Sequence, residues 1–148
     1  MRDAEAVEAV IGRIPNGMPG KAEGMKLCVQ LFSDLSEKTQ EALRCDWTPE
    51  FRNYTITPQS NSTVVGMVWD ISQEERHTIE AWELVETGWY EVANIKVSTE
   101  NNILIDATTE IIGPSQSYSL EVDEEEYPAF LNSKADWIRV AIEARHEL

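Results

Sequence analysis

The sequence predicts an α+β domain, and three observations carry that prediction. Stretches with apolar residues at helical spacing are interspersed with stretches that alternate in the manner of strands. Ser72 followed by Glu75 forms a capping box that marks one helix start. The turn Glu100-Asn101-Asn102 separates two strand-like runs as a hairpin would. With 148 residues, 42% of them hydrophobic, the chain can bury one core. It shows no internal repeat and no linker, so residues 1–148 read as a single domain.

In chain order, Asp3 to Ile11 is short and amphipathic, with Val7, Val10 and Ile11 on one helical side. Gly12 to Gly24 is rich in Gly and Pro and reads as a loop. Met25–Phe32 reads as a strand with Met25, Leu27, Val29 and Leu31 on one face. Ser36–Arg44 reads as a helix, and Phe51–Thr57 as a strand closed by Pro58. Thr63–Ile71, rich in Val and aromatic residues, reads as a buried strand. The capped helix then runs from Ser72 to about Leu84 and stops before Gly88. Trp89–Ser98 and Ile103–Ile112 form the hairpin, and Gly113-Pro114 breaks its second strand. An acidic run, Glu121–Glu126, and a final helix from about Ser133 to His146 complete the chain.

Acidic residues outnumber basic ones by 27 to 12, for a net charge of −15. A surface of that sign repels phosphate backbones and anionic lipid, so neither nucleic acid nor a membrane surface is an expected partner. No apolar run is long enough to cross a bilayer. The N-terminus, MRDAEAVEAV, lacks the basic start and apolar block of a secretion signal. A cytoplasmic location with Cys28 and Cys45 reduced is therefore expected.

Several familiar chemistries do not fit. Gly20-Lys21 lies in a glycine-rich stretch, but Pro15 and Ala22 stand where a phosphate loop needs Gly and Ser or Thr. His77 and His146 are far apart and without a partner at ligand spacing, so no metal site is expected. The acidic run lacks the alternating ligands and central Gly of a calcium loop. There is no G-x-S-x-G for a nucleophile elbow.

The informative stretch is Gly66 to Val97, GMVWDISQEERHTIEAWELVETGWYEVANIKV. On its helix, Ile79 and Trp82 share a face turned to a core. Glu80 and Glu83, also three apart, set two carboxylates beside that apolar stripe. A carboxylate losing solvation next to another anion has its pKa raised toward the range useful for acid–base work at neutral pH. Most glutamates on helices face water, and by this argument alone Glu83 stands only slightly above the other acids.

The pattern Gly-x-Val-Trp, a polar helix start, Ile79-Glu80-Ala81-Trp82-Glu83, then Gly88-Trp89-Tyr90 and a strand ending in Lys-Val resembles the gamma-glutamylcyclotransferase-like family. There the region runs roughly G-V-V-W, L-D-x-x-E-G, Y, V-x-V, and the final Glu of the L-D-x-x-E unit is the catalytic acid–base, which falls on Glu83. Ala22–Leu27 is similar to the start of an early strand of that family, and Phe51–Pro58 to the strand before G-V-V-W. Gly113–Tyr118 is similar to a Pro/Ser-rich stretch ending in a substrate-contacting Tyr.

The resemblance implies a mixed, barrel-like β-sheet with packed helices. It implies an enzyme that releases 5-oxoproline from a γ-glutamyl amine or amino acid, with Glu83 as general acid/base. Tyr90 and Tyr118 would then bind the small-molecule substrate, although ordinary strand-face and loop aromatics would look the same. No metal or organic cofactor is implied. Two departures accompany it. Residues 1–35 contain no Y-G-[ST]-x strand and loop, so the domain is expected to lack its first strand, leaving an edge for Asp3–Ile11 or a second copy of the chain, as a homodimer, to cover. Leu84 also stands where the family has Gly. The rival readings are a non-catalytic member of the fold that binds a small molecule or a protein, and a structural fragment with no activity of its own.

Overall fold

The computed structural model describes residues 4–43, 51–113 and 116–121. The order is α1 (Ala4–Ile11), β1 (Gly17–Gln30), a 3-10 turn (Phe32–Asp34), α2 (Glu37–Leu43), β2 (Asn53–Trp69), α3 (Gln73–Trp82), a second 3-10 turn (Val85–Thr87), β3 (Glu91–Thr99), β4 (Leu104–Ile111) and β5 (Leu120–Glu121). The sheet runs β2-β1-β3-β4, with β5 added to β1. The architecture is α+β, as expected. Every described pairing is antiparallel, however, so the expected mixture of strand directions is not found among these residues.

The sheet curls toward a barrel. Its outer strands meet where the Ile112 amide donates to the Ile56 carbonyl at 3.1 Å and Thr57 Oγ1 donates to the Ile112 carbonyl at 3.1 Å. Thr57 is buried, so this polar contact closes an edge that would otherwise leave backbone groups unpaired.

The stretch from Gly12 to Gly24 is the clearest correction: from Gly17 onward it is strand, not loop. Gly17 and Gly20 serve close approach rather than turning. A Cβ on Gly17 would lie 2.4 Å from the Trp69 ring, and one on Gly20 would lie 2.4 Å from Val97 Cγ1. Gly24, at φ +70°, marks a register shift between Glu23 and Met25. Opposite it lie Pro58 and Thr63, so the two strands expected at 51–57 and 63–71 are halves of one strand, β2. Pro58 does not end the strand, because this irregularity is where a residue without an N–H is tolerated.

The capped helix and the hairpin form as expected. Ser72 Oγ accepts from the Glu75 amide at 3.1 Å, and Glu75 Oε2 accepts from the Ser72 amide at 2.8 Å. β3 and β4 pair from Glu91–Ile111 to Ser98–Leu104. The final helix expected over Ser133–His146 and the acidic run beyond Glu121 lie outside the described residues, as do Arg44 and Cys45. Among the described residues no helix is long and apolar enough to cross a membrane.

Both faces of β1 are buried at its C-terminal end. Met25 and Leu27 pack with Val64, Ile95, Val97 and Ile111. On the opposite face, Cys28 packs with Leu35, Leu43, Phe51, Trp89, Tyr90 and Ile112. α1 lies on α3 through Val10 and Ile79, and the Arg13 guanidinium makes two contacts with the Glu75 carboxylate. That ion pair is exposed and orients the helix ends more than it stabilises them.

Candidate active site

Helix α3 delivers the acidic cluster. Arg76, Glu80 and Glu83 are four and three residues apart and therefore share one stripe of the helix. The Arg76 Nε lies 3.3 Å from Glu80 Oε1, and its Nη2 forms an ion pair with Glu110 Oε1 on β4. The Glu110 side chain is only 8% exposed, so this pair is shielded from solvent.

The helix ends at Trp82, two residues before the Leu84 that the sequence suggests. Glu83 is the C-cap, and Leu84 adopts the left-handed conformation at φ 53°, ψ 41°. A side chain is disfavoured there by contact between its Cβ and the backbone. The position where the family resemblance expects Gly is thus one whose geometry suits Gly. The turn that follows is held by Thr87, whose Oγ1 donates to the Leu84 carbonyl at 2.8 Å and meets Thr39 Oγ1 at 3.1 Å. Gly88, at φ 79°, then directs Trp89 and Tyr90 into the core.

Glu83 itself is half-buried. Burial of its carboxyl group, followed by the negative charge of Glu110, pushes its pKa up to about 8, while Arg76 opposes the shift. Burial also raises Glu110, against the pull of Arg76. Tyr90 titrates well above the ordinary phenol range, first through burial and then through the charge of Glu83. Glu83, Tyr90 and Glu110 thus lie within electrostatic range of one another.

A polar ladder across β1 and β2 supports Tyr90. The pairs Lys26–Thr57, Cys28–Thr55 and Gln30–Asn53 are direct cross-strand neighbours. Asn53 Nδ2 donates to the Tyr90 hydroxyl at 2.6 Å and to Gln30 Oε1 at 3.0 Å. Gln30 is fully buried; its Oε1 also accepts from Trp89 Nε1 at 2.8 Å, and its Nε2 donates to the Ser117 carbonyl at 2.9 Å. A buried amide satisfied at both ends holds strand, turn and tail together.

Tyr118 reaches the same cluster from the segment that leads into β5. Its hydroxyl accepts from Lys26 Nζ at 2.5 Å, and that ammonium lies 4.8 Å from the ring centroid. The ring packs against the core that holds Cys28, Trp89 and Tyr90. Tyr90 and Tyr118 therefore share one apolar core, and the charge of Glu83 contributes to raising Tyr90. Reasoning from sequence missed Arg76, Glu110, Gln30 and Asn53. Arg76 could have been read from its spacing to Glu80, but Glu110 sits on an ordinary strand and becomes visible only once the fold brings Arg76 of α3 to it.

Chemically, the arrangement offers a carboxyl group that can hold or release a proton near neutrality. Beside it stand an un-ionised phenol and a second carboxylate tied to a cation.

No family model and no curated protein matches the chain. Solved structures do. A gamma-glutamyl cyclotransferase aligns over 78% of this chain and 61% of its own, with a TM-score of 0.58 at 17% identity. An uncharacterized protein from Homo sapiens aligns over 80% of this chain and 66% of its own, with a TM-score of 0.56 at 18% identity. A protein from Arabidopsis thaliana aligns over 98% and 79%, with a TM-score of 0.51 at 16% identity. The chain thus spans less than two thirds of the length of the first two. At these identities the likeness is one of backbone architecture. The chain has the gamma-glutamyl cyclotransferase-like fold.

Proposed function

We propose that the chain releases 5-oxoproline from a γ-glutamyl amine or γ-glutamyl amino acid, with Glu83 as the proton carrier. The observation that supports this most is the carboxyl of Glu83, pushed up to about 8 by burial and by Glu110, at the end of α3 in a gamma-glutamyl cyclotransferase-like fold. The substrate's α-amine attacks its own γ-carbonyl carbon, forming the ring C–N bond. Glu83, as carboxylate, takes a proton from the attacking nitrogen. As the tetrahedral carbon collapses, the bond to the leaving nitrogen breaks and Glu83 returns that proton to it. Both reacting groups belong to one molecule, so the site has mainly to orient them and move one proton.

Tyr90 and Tyr118 are assigned to substrate binding. Tyr90 is held by Asn53 and stays un-ionised, so it remains a hydrogen-bond donor at neutral pH. Tyr118 brings a hydroxyl already polarised by Lys26. The same reading places the reaction in the cytoplasm and requires no metal or organic cofactor.

The test is to incubate the full chain with a panel of γ-glutamyl amines and amino acids and to measure 5-oxoproline by mass spectrometry. Release by the wild type is expected, with a loss of about a hundredfold or more in a folded Glu83→Gln variant. Binding of γ-glutamyl compounds without turnover would mark the non-catalytic alternative, and equal rates in both proteins would remove Glu83 from the chemistry.

A further inference from the structure

Hydrogen bonds have a direction, and in the buried ladder beside Tyr90 that direction is forced. The indole Nε1–H of Trp89 can only donate. It lies 2.8 Å from Gln30 Oε1, which fixes the end of that amide facing the ring. The Ser117 carbonyl can only accept, and its 2.9 Å contact with Gln30 Nε2 fixes the opposite end in the same sense. Gln30 Oε1 therefore presents an acceptor to Asn53, and the Asn53 atom 3.0 Å from it has to be the nitrogen. The same nitrogen lies 2.6 Å from the Tyr90 hydroxyl oxygen and gives its second hydrogen there. Turning the Asn53 amide over would set its oxygen against Gln30 Oε1. Gln30 is fully buried, so two acceptors would then face each other with no hydrogen between them.

A phenol has one hydrogen. Because its oxygen accepts from Asn53, Tyr90 gives that hydrogen to a different group. Thr55, on the same face of β2 as Asn53, is also a hydrogen-bonding neighbour of Tyr90. A threonine hydroxyl serves as donor or acceptor, so it can hold the Tyr90 hydrogen at rest and give way to a ligand oxygen. We propose that Asn53, oriented by Gln30, is a positioning residue that keeps the Tyr90 hydrogen for an acceptor oxygen of the γ-glutamyl substrate. The consequence for turnover rests on the substrate role given to Tyr90 above, but the direction of the hydrogen bonds can be read without turnover.

The experiment has two arms, both on the intact chain. The first is nitrogen-15 NMR of the wild type. The Trp89 indole hydrogen and both side-chain amide hydrogens of Asn53 are expected to exchange slowly with solvent, and the Asn53 pair to show proximity signals to the Tyr90 ring. Asn53 hydrogens that exchange freely and lack those signals overturn the proposal, and this arm needs no variant. The second arm is Asn53→Asp, which puts a carboxylate, an acceptor only, where the donor stood. It draws the Tyr90 hydrogen inward, and the hydroxyl-bearing ring carbon of Tyr90 shifts toward its phenolate position. KM for a γ-glutamyl substrate is expected to rise about tenfold. In a Tyr90→Phe background the same substitution should change KM less than about twofold, because the hydroxyl it acts through is gone. Equal rises in both backgrounds would mark a merely structural effect and overturn the proposal. Slow exchange and a shifted ring carbon in a chain that makes no 5-oxoproline uphold the direction and sink the cyclotransfer reading. Freely exchanging Asn53 hydrogens in an active chain do the reverse.

Discussion

Replacing Glu83 by Gln changes how the stability of this chain depends on pH. In the folded chain the Glu83 carboxyl titrates at about 8, against 4.5 for an ordinary glutamate. The native state therefore binds this proton more tightly than the unfolded chain does. The stability it contributes is fully present below about 4.5, and it is lost as pH rises through about 8. At 1.36 kcal/mol per pH unit, the wild type loses roughly 4 kcal/mol from this group between about pH 5 and about pH 9. That is a large share of the ~5–15 kcal/mol that holds a typical domain together. A glutamine is neutral at both pH values and resembles the protonated acid in shape, so the Glu83→Gln variant escapes the loss. Urea unfolding followed by fluorescence of the five tryptophans measures the difference directly. The wild-type curve should fall away from that of the variant as the solution becomes alkaline. Two curves that run parallel from pH 5 to pH 9 would show that Glu83 is not held protonated, and the electrostatic account of the site would fail with it.

Other predictions follow from single contacts. Because Leu84 sits at φ 53°, Leu84→Gly should be more stable than Leu84→Ala by about 1 kcal/mol in urea, the reverse of the usual order; an Ala variant at least as stable would show no strain at this position. Gly20→Ala places a Cβ 2.4 Å from Val97 Cγ1, where β1 and β3 pair. It should cost roughly 1–3 kcal/mol, partly recovered by adding Val97→Ala. Tyr90→Phe removes the acceptor that Asn53 Nδ2 meets at 2.6 Å. A loss of about 1 kcal/mol in stability is expected, with a KM for γ-glutamyl substrate that rises more than kcat falls; an unchanged KM would remove Tyr90 from substrate binding.

Features with a local cause were legible in the sequence. The capping box needs only Ser72 and Glu75, and the hairpin needs only its turn and two alternating runs, so both could be placed before any tertiary contact was known. The pairing of Gly17–Glu23 with Thr63–Trp69 could not. Gly and Pro in that stretch look like loop punctuation, and only the nearby Trp69 ring and Val97 show that the glycines are spaces for neighbours. Local rules divide the long strand β2 in two at Pro58, a strand breaker, whereas the irregularity opposite Gly24 accommodates it. At the site, Glu83 and Tyr90 are singled out by the family resemblance, through the unit Ile79–Glu83 and the Gly88-Trp89-Tyr90 that follows it. Glu110 is not, since its meaning comes from Arg76, which lies 34 residues earlier in the chain and meets it only in the folded structure.

The most direct test of the central claim is the pH–rate profile for 5-oxoproline release. Glu83 must be a carboxylate to accept the proton of the attacking amine, so kcat/KM should rise about tenfold per pH unit below a midpoint near 8 and level off above it. The residual activity of Glu83→Gln should lack that limb. A wild-type profile that is flat from about pH 6 to about pH 9, or one whose limb survives in Glu83→Gln, would contradict the role assigned to Glu83.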